Sequence, residues 1–152
     1  MGESEEYRKT VEDFHRLLLE TPEELAQVKL SPDFWSLKEI VGHLVDSASN
    51  NHQRFVRLKE EHRARFPAYE GETWVAIQKY RDADWRMLVD LWIGYNRLLL
   101  WLVANIDPAA LSNTWEVGGE AHTLEWLVED YYRHLSWHVE QYTGRLAQLR
   151  GG

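Results

Sequence analysis

The chain reads TLEWLVEDYYRHLSWHVEQYTGRLAQL from Thr123 to Leu149. Apolar side chains recur in it every three or four residues, which is the period of one face of an amphipathic helix. The positions that share this face are Leu124, Leu127, Tyr131, Leu135 and Tyr142. We therefore predict a long helix over this stretch, with one side buried.

Three other stretches show the same period and predict three further long helices. We expect the first from about Glu3 to Glu20, and the second from Ser36, where Glu39 would complete a capping box. The third begins near residues 82–84 and stops before Asp107-Pro108. The positions predicted to face the core are Tyr7, Val11, Phe14 and Leu18 in the first helix; Leu37, Ile40, Val41, Leu44, Ala48 and Phe55 in the second; and Leu88, Leu91, Trp92, Tyr95, Leu98, Leu99, Leu102 and Ile106 in the third.

The connections are modest in length. Thr21-Pro22-Glu23-Glu24 reads as a capping box that starts a short helix, and a second short helix is predicted from Thr73 to Tyr80. Gly118-Gly119 marks a turn, but no β-type alternation is long enough to predict a strand. The sequence predicts an all-α, up-down four-helix bundle that forms one domain over residues 1–152.

Composition and charge exclude several classes of function. The chain has 152 residues, a formal net charge of −8 and no cysteine. The acidic balance argues against nucleic-acid binding, and the absence of cysteine excludes disulfides and thiolate ligands. The longest apolar run, 98–104, falls short of the roughly 18 residues of a membrane span, and the acidic start does not resemble a signal peptide. We expect a cytoplasmic protein.

Two histidines lie on the buried side of the last predicted helix. His134 and His138 are four residues apart, so their imidazoles lie above one another on one face. Burying an imidazole without a partner costs roughly 1–3 kcal/mol. Either the two rings are core histidines bonded to neighbouring Tyr or Asp side chains, or they hold a metal ion.

A third histidine favours the metal interpretation. His43 lies at the edge of the apolar face of the second helix, in a polar seam that continues through Ser47 to Arg54. Three neutral imidazoles from two helices would leave a coordination position open, as in catalytic sites. Leu135 follows His134, so the H-E-x-x-H motif is missing, and a single Glu12-x-x-His15 unit does not make a di-iron site. We expect no site role for His52, His62 or His122.

These residues resemble the DinB-like superfamily, and within it the YfiT-type branch. The resemblance covers about Glu5 to Leu149. It is carried by Trp35-Ser36, Glu39, His43-Leu44, Asp46-Ser47, Arg54, Thr123-Leu124 and His134-x-x-x-His138, together with Pro67, Tyr69, Trp74 and Tyr80. Members of the branch often carry additional histidines around the last two ligands, where this chain has Tyr131 and Leu135.

The resemblance implies an up-down four-helix bundle, often a homodimer, with zinc or nickel on three histidines. By position these are His43, His134 and His138. Some relatives are bacillithiol S-transferases, and others are named only as candidate metal-dependent hydrolases. We therefore predict a metal-dependent enzyme with thiol S-transferase or hydrolase-like chemistry on a small molecule, such as a low-molecular-weight thiol.

Other residues are candidates for supporting roles. Asp130, one turn before His134, could orient an imidazole; Asp46 is a more distant candidate. Arg54 could bind a substrate carboxylate or serve as a salt-bridge partner. Three tryptophans could line a pocket or belong to the core or an interface: Trp35, Trp126 and Trp137. The alternative function is a non-enzymatic bundle in which the ion or the histidines serve structure or ligand sensing.

Overall fold

Four long helices form the bundle that the sequence predicts, in a computed structural model that describes residues 2–151. In chain order the helices are α1 (Glu3–Glu20), α2 (Glu23–Ala26), α3 (Leu37–Glu60), α4 (Gly71–Gln78), α5 (Trp85–Ala104) and α6 (Leu124–Gly151). The strands are β1 (Arg63–Arg65), β2 (Thr114–Val117) and β3 (Glu120–Thr123). The predicted four-helix bundle is confirmed.

Helix pairing in the bundle does not follow the order of the helices in the chain. Both α1 and α3 pack against α5 and against α6. The first two long helices, α1 and α3, therefore lie at opposite corners of the bundle, and so do the last two, α5 and α6. The segment from α1 to α3 carries α2, and the segment from α5 to α6 carries β2 and β3; both are long enough to cross the bundle. This arrangement places α3 beside α6, which brings the predicted histidines onto facing helices.

The capping box predicted for α3 forms as expected, and a side chain also caps α5. The Ser36 hydroxyl accepts from the Glu39 amide, and the Glu39 carboxylate accepts from the Ser36 amide, which completes the capping box of α3. Asp84 caps α5 by accepting from the Met87 amide at 2.9 Å.

The capping box predicted at Thr21 is wrong. The residue that caps α2 is Pro22, and no side chain bonds to the free amides there. The Thr21 hydroxyl donates to the Leu17 carbonyl at 2.9 Å and lies 2.8 Å from the Tyr142 hydroxyl. A partner from α6, 121 residues away in the chain, therefore replaces the local one.

A three-stranded sheet corrects the expectation of no strands. β1 pairs in parallel with β2, and β2 pairs antiparallel with β3. The hairpin turn consists of Gly118 and Gly119, whose φ angles of 55° and 83° suit the two positive-φ positions of a tight β-hairpin. Strands of three and four residues are too short to show an alternation that the sequence could reveal.

Helix α5 exposes part of the face that the periodicity assigns to the core. Leu91 is 44% exposed and Leu98 is 40% exposed, whereas Ile93 and Leu100 are buried. Apolar residues of α5 lie on most of its faces, so the spacing of apolar residues cannot identify which face is buried. By length and composition alone α5 could cross a membrane, a test that the core helix of a bundle also passes. Its other side packs against α1 and α3.

Candidate metal centre

Three histidines from two helices converge on one point between α3 and α6. His43 comes from α3, and His134 and His138 come from successive turns of α6. Each offers a ring nitrogen, and these three nitrogens all lie within 4.8 Å of one another. The centroid of the His43 ring lies 5.7 Å from that of the His134 ring and 4.7 Å from that of the His138 ring. The structure thus brings together the three residues that the sequence proposes as metal ligands.

The three imidazoles differ in their access to solvent. His43 is 8% exposed and His138 is 4% exposed, whereas His134 is exposed. The sequence placed His134 in the middle of the buried face, but it lies at the boundary between that face and solvent. This boundary gives the histidine cluster one open side.

Hydrogen bonds define the orientation of the His138 ring. Its Nδ1 lies 2.8 Å from Oε1 of Gln141, which can only accept, so Nδ1 carries the proton. The lone pair is then on Nε2, which lies 3.2 Å from Nε2 of His134. Two nitrogens bound to one tetrahedral ion at 2.0–2.1 Å would lie about 3.3 Å apart. The His134–His138 pair therefore already has a spacing that suits a shared ion.

The protonation of the cluster also suits a cation. Burial lowers the pKa of His43 to about 3, with smaller contributions from the two neighbouring imidazoles. Burial is also the largest cause that lowers the pKa values of His134 and His138. The rings are consequently neutral at neutral pH, and a neutral imidazole is the form that binds a metal ion.

The surroundings of His43 also suit a bound metal ion. Its Nδ1 is buried without a hydrogen-bond partner among the described residues, an arrangement that costs roughly 1–3 kcal/mol unless something binds there. Gly71, at the start of α4, packs against this ring. A Cβ at that position would lie 2.9 Å from Cε1 and 3.2 Å from Nδ1 of His43. The three histidines form a group that could hold a divalent metal ion.

Two cavities open beside the cluster, and His134 lines both. One, of 260 Å³, extends along α3 past Ser47 and Asn51 to Arg54. The other, of 380 Å³, lies against Trp35, Trp137 and Gln141. Two of the three predicted pocket tryptophans thus line a cavity, whereas Trp126 stacks on His122. A larger opening of 660 Å³ lies beside the Gly118-Gly119 turn, so volume alone does not identify the site.

The predicted supporting residues lie in different places. Asp130 and Arg54 both line the smaller cavity. The Asp130 carboxylate accepts from Arg133 at 2.9 Å, and its charge slightly opposes the lowering of the His134 pKa. The side chain that the structure shows bonded to a cluster imidazole is Gln141. A polar residue three positions after His138 on the same helix could have been identified from the sequence; the approach of Gly71 could not.

Asp46 belongs to a network that joins α3 to the segment after α4. Its buried carboxylate accepts from the Tyr80 hydroxyl at 2.7 Å and from the Gln78 amide at 3.0 Å. Burial raises the pKa of Asp46, and these two hydrogen bonds oppose that rise. This carboxylate therefore holds the C-terminal end of α4, the helix that begins at Gly71.

The three histidines for which we expect no site role, His52, His62 and His122, have partners elsewhere. His52 lies 3.2 Å from the Tyr95 hydroxyl, and His62 lies 3.3 Å from the Asn113 side-chain oxygen. Within residues 2–151, only His43, His134 and His138 form a group of metal-ligand side chains close enough for one ion.

Comparison with known proteins agrees with this fold and identifies the family. A curated protein of Oceanobacillus iheyensis, named "Putative metal-dependent hydrolase OB0413", is 23% identical over 147 residues, covering 93% of this chain and 82% of that protein. The solved structure of YfiT from Bacillus subtilis, described as "a probable metal-dependent hydrolase with an unusual four-helix bundle topology", superposes with a TM-score of 0.81 at 17% identity, covering 98% of this chain and 90% of that one. A sequence model of the DinB superfamily matches residues 6–142. The chain therefore belongs to the DinB superfamily.

Proposed function

We propose that this protein is a metal-dependent enzyme that acts on a small molecule at His43, His134 and His138, by thiol S-transfer or by hydrolysis. The observation that carries the proposal is the convergence of three neutral imidazoles beside two cavities. The names of the relatives support hydrolase-like chemistry, and the sequence resemblance supports thiol transfer. Zinc and nickel both suit an all-imidazole donor set.

The residues of the chain have separable roles in this proposal. His43, His134 and His138 would hold the ion, which would supply Lewis acidity and would lower the pKa of a water or thiol. Oε1 of Gln141 accepts a hydrogen bond from the Nδ1–H of His138. This bond fixes the tautomer in which the lone pair of Nε2 faces the other cluster histidines. Gly71 and Trp35 cover His43 and limit the access of water to it. The exposed side of His134 leaves an approach for substrate.

The main alternative is a non-enzymatic bundle in which the ion has a structural or sensing role. A structural site usually has four protein ligands and no open position. Among residues 2–151, no aspartate, glutamate or cysteine joins the three histidines, and two cavities open beside them. These observations favour the enzymatic reading.

An assay with two arms tests the proposed function. The untagged protein is stripped of metal and reloaded with zinc or nickel. One arm measures the conjugation of a simple thiol to monobromobimane, and the other measures the hydrolysis of p-nitrophenyl acetate. We expect one reaction to exceed that of the His134→Ala variant by at least about tenfold, because the variant lacks a ligand of the activating ion. If neither reaction exceeds that of the variant, the result counts against the proposal and favours the non-enzymatic alternative.

Replacement of Gln141 by leucine tests the orientation of His138. We expect Gln141→Leu to weaken zinc binding by about 10- to 100-fold, since the ring loses the partner that sets its tautomer. Competition with a chromogenic chelator measures the affinity. Gln53→Leu is the matched control, because Gln53 is an exposed glutamine on α3. Equal affinities for the two variants would show that Gln141 does not orient the ligand.

A further inference from the structure

The most informative unassigned side chain near the cluster is Arg54. Its guanidinium lies over the Trp115 ring, with 4.2 Å between Cζ and the ring centroid. Trp115 is itself fixed, because it is 6% exposed and its indole nitrogen donates to the Phe66 carbonyl at 3.0 Å. Stacking on an aromatic face holds a guanidinium in one plane while its edge stays free to donate.

The charge of Arg54 has no close counter-ion in the described part of the chain. No carboxylate of residues 2–151 comes within ion-pair distance of its guanidinium, although the chain forms ten other pairs within 4.0 Å. Asp130 lines the same cavity, but its carboxylate binds Arg133. Burial lowers the pKa of Arg54, as expected for a charge taken from water without full compensation.

Apart from Asp130, the polar groups that line this cavity include neutral hydrogen-bond donors, which suit an anion. Burial raises the pKa of Tyr69, so its hydroxyl stays protonated and can donate. Ser47 and Asn51 follow His43 on successive turns of α3 and line the path toward Arg54. Neutral donors beside one stacked arginine form an arrangement that binds a carboxylate, because a guanidinium can donate to both of its oxygens.

The spacing along α3 sets the length of the expected ligand. Arg54 lies eleven positions after His43, which corresponds to about 16 Å along the helix axis. Helical side chains lean toward the helix N-terminus, and the arginine side chain is longer than that of histidine, so its guanidinium reaches further back and shortens this gap. The cavity of 260 Å³ is below the roughly 300–1,000 Å³ typical of drug-sized ligands. It therefore suits a slender molecule with its reactive group and its anionic group several bonds apart.

We propose that Arg54 binds a carboxylate of the substrate while the reactive end of the same molecule lies at the three histidines. This inference rests on the proposed function and adds a substrate class: elongated small molecules with an anionic tail. Arg54 would thus determine specificity, and the histidines would provide the reactive centre.

Thiols of matched length test the inference on cobalt-loaded protein, whose visible absorbance reports thiol binding. We compare 3-mercaptopropionate with 3-mercaptopropanol, and 6-mercaptohexanoate with 6-mercaptohexanol. The longer acid is expected to bind about 10- to 100-fold more tightly than its alcohol, the effect of one partly buried charge-assisted pair, and the shorter acid is expected to gain less. In Arg54→Gln the ratio of acid to alcohol affinity should fall to near one. Arg54→Met replaces that variant if the glutamine variant does not fold.

Three results would overturn the inference while leaving the proposed function intact. The first is equal binding of acid and alcohol by the wild type, and the second is a preference that survives loss of Arg54. The third is tighter binding of 6-aminohexane-1-thiol than of the acid, which would assign the cavity to Asp130 and to a cationic tail.

If no thiol changes the cobalt spectrum, thiol chemistry at the metal is contradicted. The anion site at Arg54 is then tested by a titration of the metal-free protein. Hexanoate is titrated into the metal-free protein, and the NMR signal of the Trp115 indole N–H, assigned with Trp115→Phe, reports binding next to Arg54. A saturable shift that hexanol does not cause, and that Arg54→Gln abolishes, supports the anion site. No shift in the wild type rejects it.

Discussion

Replacing His134 by alanine is expected to remove stoichiometric metal binding. The wild type should hold about one zinc or nickel ion per chain, and the variant should bind at least about 100-fold more weakly, because even residues that only orient a ligand contribute 10- to 100-fold. His134 is the exposed member of the cluster, so its loss should leave the core packing and the fold intact. Metal analysis and calorimetric titration of untagged protein measure the effect.

His62→Ala is the matched control, since His62 is also exposed and its partner is Asn113 rather than the cluster. It should bind metal as the wild type does. Equal loss in both variants would indicate nonspecific binding to surface histidines. A metal-free wild type that keeps its fold and takes up neither zinc nor nickel would contradict the metal centre altogether.

Replacing Gly42 by alanine is expected to destabilise the fold by about 2–4 kcal/mol. A Cβ at this position would overlap Cγ and Cδ2 of the Tyr80 ring and lie 2.8 Å from its Cβ. Tyr80 cannot easily move away, because its hydroxyl donates to the buried Asp46 carboxylate at 2.7 Å. The clash therefore pushes on the backbone after α4 and weakens a buried hydrogen bond, which exceeds the gain of about 1 kcal/mol from replacing a helical glycine.

Two glycines in the same bundle provide controls for Gly42. Gly94 and Gly144 also lie in long helices, and a Cβ at either would meet no atom within 4 Å. Alanine at these positions should stabilise the protein by about 0.5–1 kcal/mol through helix propensity alone. Urea denaturation of the three variants measures the differences. Equal effects at all three positions would show that the contact with Tyr80 is not what requires Gly42.

The helices and part of the site could be predicted because they depend on local patterns. The Ser36–Glu39 capping box involves residues three apart, and it forms as predicted. His134 and His138 are four apart on one helix, so their rings must lie on one face wherever that helix packs. The same period failed for α5, where Leu91 and Leu98 are exposed, because apolar residues on several sides leave the choice of buried face to packing.

The sequence by itself determined four amphipathic helices and one pair of histidines on a common face, since the 3.6-residue period of a helix depends only on near neighbours. Tertiary structure decided the rest. The pairing of α3 with α6 brings His43 to that pair, the close approach of Gly71 encloses its ring, and a three-stranded sheet places Trp115 beneath Arg54. Each of these contacts joins residues far apart in the chain, and helix packing and strand register, not local propensity, set where such residues meet.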